Sequence, residues 1–158
     1  MNRVLLLSVL LSTTVFAETV PTKQAKKNGF TTCAPLVEQL SDFLVKKNNH
    51  GSVATWNSKS SDKRQFNTIV PIQYSDGNSV STISVSQSKN GQCDGNYTSI
   101  FYLDSSCSVE RETTFKEWKY KAELAGLIVL TNPSGGVDKV LLPAGSGCVS
   151  ISRETVYQ

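Results

Sequence analysis

The fold of this chain is constrained most by an export leader that is followed by four cysteines. Arg3 makes the N-terminus positive, Val4 to Phe16 are mostly apolar, and Ala17 is a small residue at which cleavage is expected. The apolar segment is shorter than the roughly 20 residues that a membrane-spanning helix needs. We therefore predict that residues 1–17 are a signal peptide of bacterial type. The mature protein is then periplasmic or secreted and has no membrane anchor.

In such a compartment the cysteines are expected to form two disulfides. Cys33, Cys93, Cys107 and Cys148 contain no C-x-x-C pair, and the chain has one histidine, so neither a zinc site nor a thiol redox motif is indicated. We expect no metal and no other cofactor. Four cysteines allow three pairings. Of these we favour Cys33–Cys148 with Cys93–Cys107. The first of these two bridges would join the start of the first helix to the last strand.

One segment has the spacing of an amphipathic helix. Its apolar residues recur at helical intervals, which predicts a helix over residues 33–48. They are Leu36, Val37, Leu40, Phe43 and Leu44. Thr31 or Thr32 is available to cap its start, and Gly51 is expected to end it.

The rest of the chain is dominated by short strand-like segments separated by Gly, Asn and Pro turns. The predicted strands are Val53–Asn57, Phe66–Tyr74, Val80–Gln87, Asn96–Leu103, Leu127–Thr131, Val137–Leu142 and Cys148–Ser152. Residues 104–118 are ambiguous, and residues 105–114 within them are compatible with a short helix.

These segments predict a single α+β domain over residues 30–158. We expect one N-terminal helix packed on a curved, mainly antiparallel sheet of about six strands, stapled by the disulfides. The other face of the sheet is expected to be wet, since Ser, Thr and Asn are frequent. Residues 18–29 have no apolar period and are expected to form a flexible lead-in.

No catalytic constellation is evident in the sequence, and we assign no catalytic residue. His50 follows the polar end of the predicted helix, which is typical of a cap residue. Ser146 lies in Ala144-Gly145-Ser146-Gly147, which lacks the first glycine of a nucleophile elbow. The carboxylates near Glu110 and Glu117 are surrounded by Lys and Arg, as on a solvated surface. The net charge of +3 is too small to indicate a nucleic-acid partner.

The best partner-binding candidates are aromatic. Trp118 and Tyr120 would share one face of a strand with a charged opposite face, and Trp56 is a further aromatic candidate. The sequence thus favours an exported, non-catalytic binding or accessory module over an enzyme, its partner being an unknown protein or envelope component. The alternatives are a small carboxylate-dependent hydrolase of envelope polymers, or an inhibitor of such a hydrolase.

Overall fold

The computed structural model describes residues 17–158, so the predicted leader lies outside the described residues except for Ala17. The α+β class, the mainly antiparallel sheet and the presence of two disulfides are confirmed. The expected numbers of elements are wrong, because the described chain contains three α-helices and a sheet of nine strands.

The helices are α1 (Val20–Lys27), α2 (Ala34–Val45) and α3 (Cys107–Glu112), and Ser61–Lys63 form a 3₁₀ turn. The strands are β1 (Asn49–His50), β2 (Val53–Thr55), β3 (Phe66–Tyr74), β4 (Gly77–Gln87), β5 (Cys93–Leu103), β6 (Lys119–Leu124), β7 (Leu127–Thr131), β8 (Asp138–Ala144) and β9 (Gly147–Tyr157).

Two antiparallel meanders meet at the centre of the sheet. The strand order is β1-β3-β4-β5-β9-β8-β7-β6, and β2 also pairs with β3 at the first edge. The two meanders are joined where β5 pairs with β9, in a register that places Ser99 opposite Ser152 and Leu103 opposite Cys148. A single sheet face therefore runs through both halves of the molecule.

The first core lies beneath α2. Leu36, Val37 and Leu40 are buried against Ile83 and Val85 of β4 and the start of β5. The helix ends earlier than predicted, because Lys46 and Lys47 adopt left-handed backbone angles (φ 46° and 68°) and turn the chain toward β1. Gly51, the expected stop, is not in the left-handed region.

Residues 20–27 form a helix where a flexible lead-in was expected. Thr22 and Ala25 are fully buried, and Pro21 stands in the first turn, where proline is well tolerated. The hydroxyls of Thr19 and Thr22 meet the Ser41 hydroxyl of α2 at 2.6 and 3.2 Å. The buried side of α1 is thus made of small and hydroxyl side chains, which a search for large apolar residues does not detect.

The disulfides are Cys33–Cys93 and Cys107–Cys148, so the favoured pairing is wrong. Cys93 begins β5, and Cys107 follows the end of that strand. An 11-residue strand extends over about 35 Å at ~3.3 Å per residue, which keeps these two cysteines apart. Each bridge instead ties the start of one helix to the nearer end of the sheet.

The second core is smaller and lies under α3. Its buried members are Phe115, Leu130 and Leu141 together with the Cys107–Cys148 disulfide. Because Leu103 packs against it from the same side of β5 that carries Tyr97, both cores lie on one face of the sheet. We call this the helix face.

The opposite face, which we call the open face, differs from the wet surface that was expected. Polar side chains are frequent on it, but the strand registers also align an apolar row of Val80, Ile100, Ile151 and Val140 across four strands. Within residues 17–158, the three α-helices contribute no buried core on this side.

Candidate functional site

A groove opens on the helix face between the two cores. It has a volume of about 390 Å³, and we call it the aromatic groove. Its lining residues are Phe43, Leu44, Lys46, Tyr74, Tyr97, Ser99, Phe101, Trp118, Asn132, Val137 and Ser152. Five of these side chains are aromatic rings, and none of the lining residues is Asp or Glu.

The groove exists because α2 covers only the first part of β5. A Cβ on Gly95 would lie 3.0 Å from Leu36 and 3.2 Å from Leu40, so this glycine lets the helix approach the strand closely. The helix ends at Val45, and the inward residues Ser99 and Phe101 are left without a helix above them. Beyond these residues, this face of the sheet is covered again by the side chains of the second core.

The walls at the α2 end are fixed by ring contacts and hydroxyl hydrogen bonds. The Phe43 and Tyr97 rings are 5.4 Å apart, as are those of Tyr74 and Phe101. The Tyr97 hydroxyl donates to Glu154 at 2.9 Å, and the Tyr74 hydroxyl donates to the Leu44 carbonyl at 2.5 Å. Burial, followed by the Glu154 carboxylate, raises the pKa of Tyr97 well above its usual range.

A buried lysine, which is not itself part of the lining, lies behind the opposite wall between two rings. Lys139 is 6% exposed, and its Nζ lies 4.4 Å from the Phe115 ring centre and 4.6 Å from that of Trp118. Nζ donates a hydrogen bond to Ser152 Oγ at 2.5 Å. Burial lowers the pKa of Lys139 to about 8. Within residues 17–158, no carboxylate lies within the 4.0 Å ion-pair distance of this ammonium.

Polar side chains cross the floor in a row. Ser81 Oγ donates to Ser99 Oγ at 3.2 Å, Ser99 faces Ser152 across β5 and β9, and Ser152 faces Lys139 across β9 and β8. Each of the two central serines accepts a hydrogen bond from its outer neighbour. The proton of each of these two hydroxyls is therefore available for donation to a ligand in the groove.

Only one of the three predicted aromatic binding residues lies in this groove. Trp118 lines it, but it precedes β6 instead of belonging to it, since that strand begins at Lys119. Tyr120 is exposed on β6 at one edge of the sheet. Trp56 follows β2 at the other edge, so the structure does not bring the three together.

Sequence reasoning missed most of the groove. Phe43 was placed in the buried helix stripe, yet it is 53% exposed at the overhanging end of α2. Lys139 occupies an inward position of a predicted strand, and a charge at such a position was the available signal. No signal in the sequence identifies Ser99 and Ser152 as site residues, because their juxtaposition depends on the pairing of β5 with β9.

The other residues considered for chemistry have structural roles. His50 Nε2 accepts the Val20 N–H at 3.1 Å, and its Nδ1 lies 2.8 Å from the Asn48 carbonyl, so the ring holds the start of α1. Ser146 lies in the turn between β8 and β9. Glu110 is buried and accepts from the Thr114 hydroxyl at 2.6 Å.

A larger cavity of about 860 Å³ lies beside the start of α1. Residues 17–20, Asp42 and His50 are part of its lining. It borders residue 17, where the described chain begins, whereas the aromatic groove is enclosed by elements from both halves of the sheet. The candidate site is therefore the groove.

No cluster of three or more His, Cys, Asp or Glu suited to a metal ion occurs among residues 17–158. In the same span, no helix combines the length and apolar character needed to cross a bilayer. The two disulfides fit an extracellular or otherwise oxidising compartment.

Comparison with known proteins gives no family assignment. No family model, curated protein or solved structure matches the chain.

Proposed function

We propose that this protein is an exported, non-catalytic binding module whose ligand occupies the aromatic groove. The observation that carries the proposal is the groove itself, with its aromatic walls and a few polar groups on the floor. This composition is typical of binding pockets, whose usual volumes are ~300–1,000 Å³. Export to the periplasm or the exterior is supported by the leader pattern and by the two disulfides.

The walls favour binding because they are already ordered. Tyr74 and Tyr97 are held by hydrogen bonds from their hydroxyls, and Trp118 packs edge-on against Phe115. Little conformational entropy is lost when a ligand binds between rings that are already ordered. Of the aromatic residues singled out from the sequence, the proposal retains Trp118 and does not use Tyr120 or Trp56.

The contact between Ser152 and Lys139 supports a second candidate, an acyl-transfer enzyme. A serine beside a lysine of lowered pKa resembles the nucleophile and base of Ser–Lys hydrolases. Such enzymes also need hydrogen-bond donors for the developing oxyanion. Ser152 lies within β9, which is paired with β5 and β8 on both sides, so the backbone N–H groups around it are engaged in the sheet. We therefore favour binding.

The carboxylate-dependent hydrolase receives no specific support. Two carboxyl groups would have to face one cleft, at ~5–9.5 Å from each other, whereas the lining of the aromatic groove contains none. Glu154, which lies beside it, is engaged by the Tyr97 hydroxyl.

A fragment screen followed by amide NMR tests the proposal. Hits should shift signals of Ser99, Phe101 and Ser152, and Phe43→Ala should weaken them at least tenfold. Tyr157→Ala is the matched control, because this aromatic residue is 77% exposed and lies at the far end of β9. Hits that map to the open face, or that are indifferent to Phe43→Ala, would contradict the proposed site.

Covalent labelling separates binding from acyl transfer. The intact mass of the disulfide-bonded protein should not change after incubation with a fluorophosphonate. An adduct on Ser152 that is lost in Lys139→Met would establish the second candidate instead. Ser86, which is half-buried like Ser152 but lies on the open face, provides the reference for nonspecific labelling.

A further inference from the structure

The charge in and around the groove is unbalanced. Lys139 is almost fully buried, and Ser152 is its one described hydrogen-bond partner, although an ammonium has three donors. A buried cation without an anion is costly, and the faces of Phe115 and Trp118 offset only part of that cost. The lining itself contains a cation, Lys46, whose Nζ lies 5.7 Å from the Phe43 ring centre.

The floor offers two hydroxyl donors side by side. Ser99 and Ser152 are directly opposite each other, a relation that sets Cβ atoms about 4.5–5.5 Å apart. The oxygen of Ser152 accepts from the Lys139 ammonium, which polarises its O–H bond and makes it a stronger donor. Two adjacent donors of this kind match the two oxygens of a carboxylate.

The carboxylate of Glu154 belongs to a residue on the same face of β9 as Ser152. It lies opposite Tyr97 in the register and accepts the hydrogen bond of that hydroxyl. It is two residues away from Ser152 and toward the end of the groove that α2 covers. The serine pair therefore remains the part of the floor that is suited to an anion.

We infer that the aromatic groove binds a carboxylic acid that carries one aromatic or branched apolar group, of the size of a C-terminal amino-acid residue. Ser99 and Ser152 hold the carboxylate, Lys139 supplies the compensating charge from behind Ser152, and the apolar group lies among Phe43, Phe101 and Trp118. This inference rests on the proposed function. The groove of about 390 Å³ is at the small end of ligand pockets, which suits one residue and not a helix.

The inference is tested with two ligands of nearly the same shape, of which one has a carboxylate and the other a neutral amide. N-acetyl-phenylalanine and its C-terminal amide are titrated into the disulfide-bonded protein and followed by NMR or calorimetry. The acid should bind at least tenfold more tightly than the amide. Acetate and inorganic phosphate, which lack the apolar group, should bind at least tenfold more weakly than the acid.

Variants assign the selectivity to the named residues. Ser99→Ala with Ser152→Ala should reduce affinity for the acid about tenfold and should barely change affinity for the amide. Lys139→Gln should likewise lower the acid-to-amide ratio. Ser86→Ala, on the open face of β4, is the matched serine control and should change neither affinity.

Each result decides between the inference and the proposed function. Equal binding of acid and amide at the groove would overturn the carboxylate site and leave the proposed function standing. Binding of neither ligand at millimolar concentration would also overturn the carboxylate site. Binding of both at the open face, unaffected by Phe43→Ala, would contradict the inference and the proposed groove together.

Discussion

Leu36 packs directly over Gly95, so that a Cβ on the glycine would come within 3.0 Å of the leucine side chain. The same added carbon would lie 3.1 Å from Val85 and 3.2 Å from Leu40. The distance between α2 and the sheet is thus set by the missing side chain at position 95. This distance also determines how far the end of α2 stands over the aromatic groove.

Gly95→Ala is therefore expected to destabilise the protein by about 1–3 kcal/mol, since the packed helix cannot yield without strain. Urea unfolding measures the change. Gly136→Ala is the matched control, because its added carbon would have no atom closer than 3.9 Å and its backbone φ is not positive. An alanine at position 95 that costs no more than the control would contradict the close-packing argument.

A second prediction concerns the start of α2. Asp62 accepts hydrogen bonds from the N–H groups of Thr31 and Thr32 at 2.6 and 2.8 Å and also from their hydroxyls. Asp62 thus holds the segment that precedes α2 and does not cap the helix, whose N-cap residue, Cys33, receives no side-chain cap bond. Asp62→Ala should cost about 1–2 kcal/mol at neutral pH, as loss of hydrogen bonds to a charged acceptor does.

The effect of Asp62 should depend on pH in a defined direction. Hydrogen bonds from Thr32 and Thr31 lower the pKa of Asp62 below its usual 3.8. The stabilisation is therefore complete above that value and is lost as the pH falls through the lower folded-state pKa. The difference in stability between the variant and the native protein should therefore shrink as the pH falls below 3.8. Asp76→Ala, in the β3–β4 turn, is the control at neutral pH.

Local patterns predicted the class of fold and several elements. The bounds of β3 and β7 agree with the sequence prediction to the residue, because both strands consist of buried or alternating apolar residues between turn signals. Local patterns did not predict α1, whose buried side is formed by Thr22, Ala25 and Pro21. The strand that they predicted at β9 ends too early, at Ser152. The last part of β9, Arg153–Tyr157, consists of mixed polar residues that are ordered by pairing with β5.

Most residues of the candidate site could not be predicted from the sequence, because local patterns do not show which distant strands pair. Trp118 was identified by its residue type, but the groove needs Phe43, Ser99, Ser152 and Lys139 to converge from four distant segments. Their convergence follows from the β5–β9 and β8–β9 registers. Nothing in the spacing of these residues along the chain specifies those registers.

The disulfides lead to a third prediction. Mass spectrometry of unreduced digests should find Cys33 linked to Cys93 and Cys107 linked to Cys148. The bridges span 60 and 41 residues, so loop-closure entropy assigns about 4 kcal/mol to each. Reduction should therefore lower the melting temperature by many degrees. A peptide linking Cys33 to Cys148 would contradict the structure, and an unchanged melting curve would contradict the stabilising role.

The last prediction concerns the stability cost of Lys139. Because burial lowers its pKa from 10.5 to about 8, the unfolded chain binds more protons than the folded protein between those values. The free energy of unfolding should thus rise with pH from about 8 to 10.5, and the full penalty is present below pH 8. Lys139→Met keeps an unbranched side chain that is one heavy atom shorter and removes the charge. It should stabilise the protein near pH 7 by about 1–3 kcal/mol.

The advantage of Lys139→Met should shrink as the pH approaches 10.5, which urea unfolding at several pH values would measure. The exposed Lys119→Met on β6 is the control and should change stability by less than about 0.5 kcal/mol at pH 7. A destabilised Lys139→Met variant at pH 7 would mean that the Phe115 and Trp118 rings and Ser152 compensate the charge fully. If the variant is more stable and also loses its preference for the acid over the amide, this lysine is kept for binding at a cost in stability.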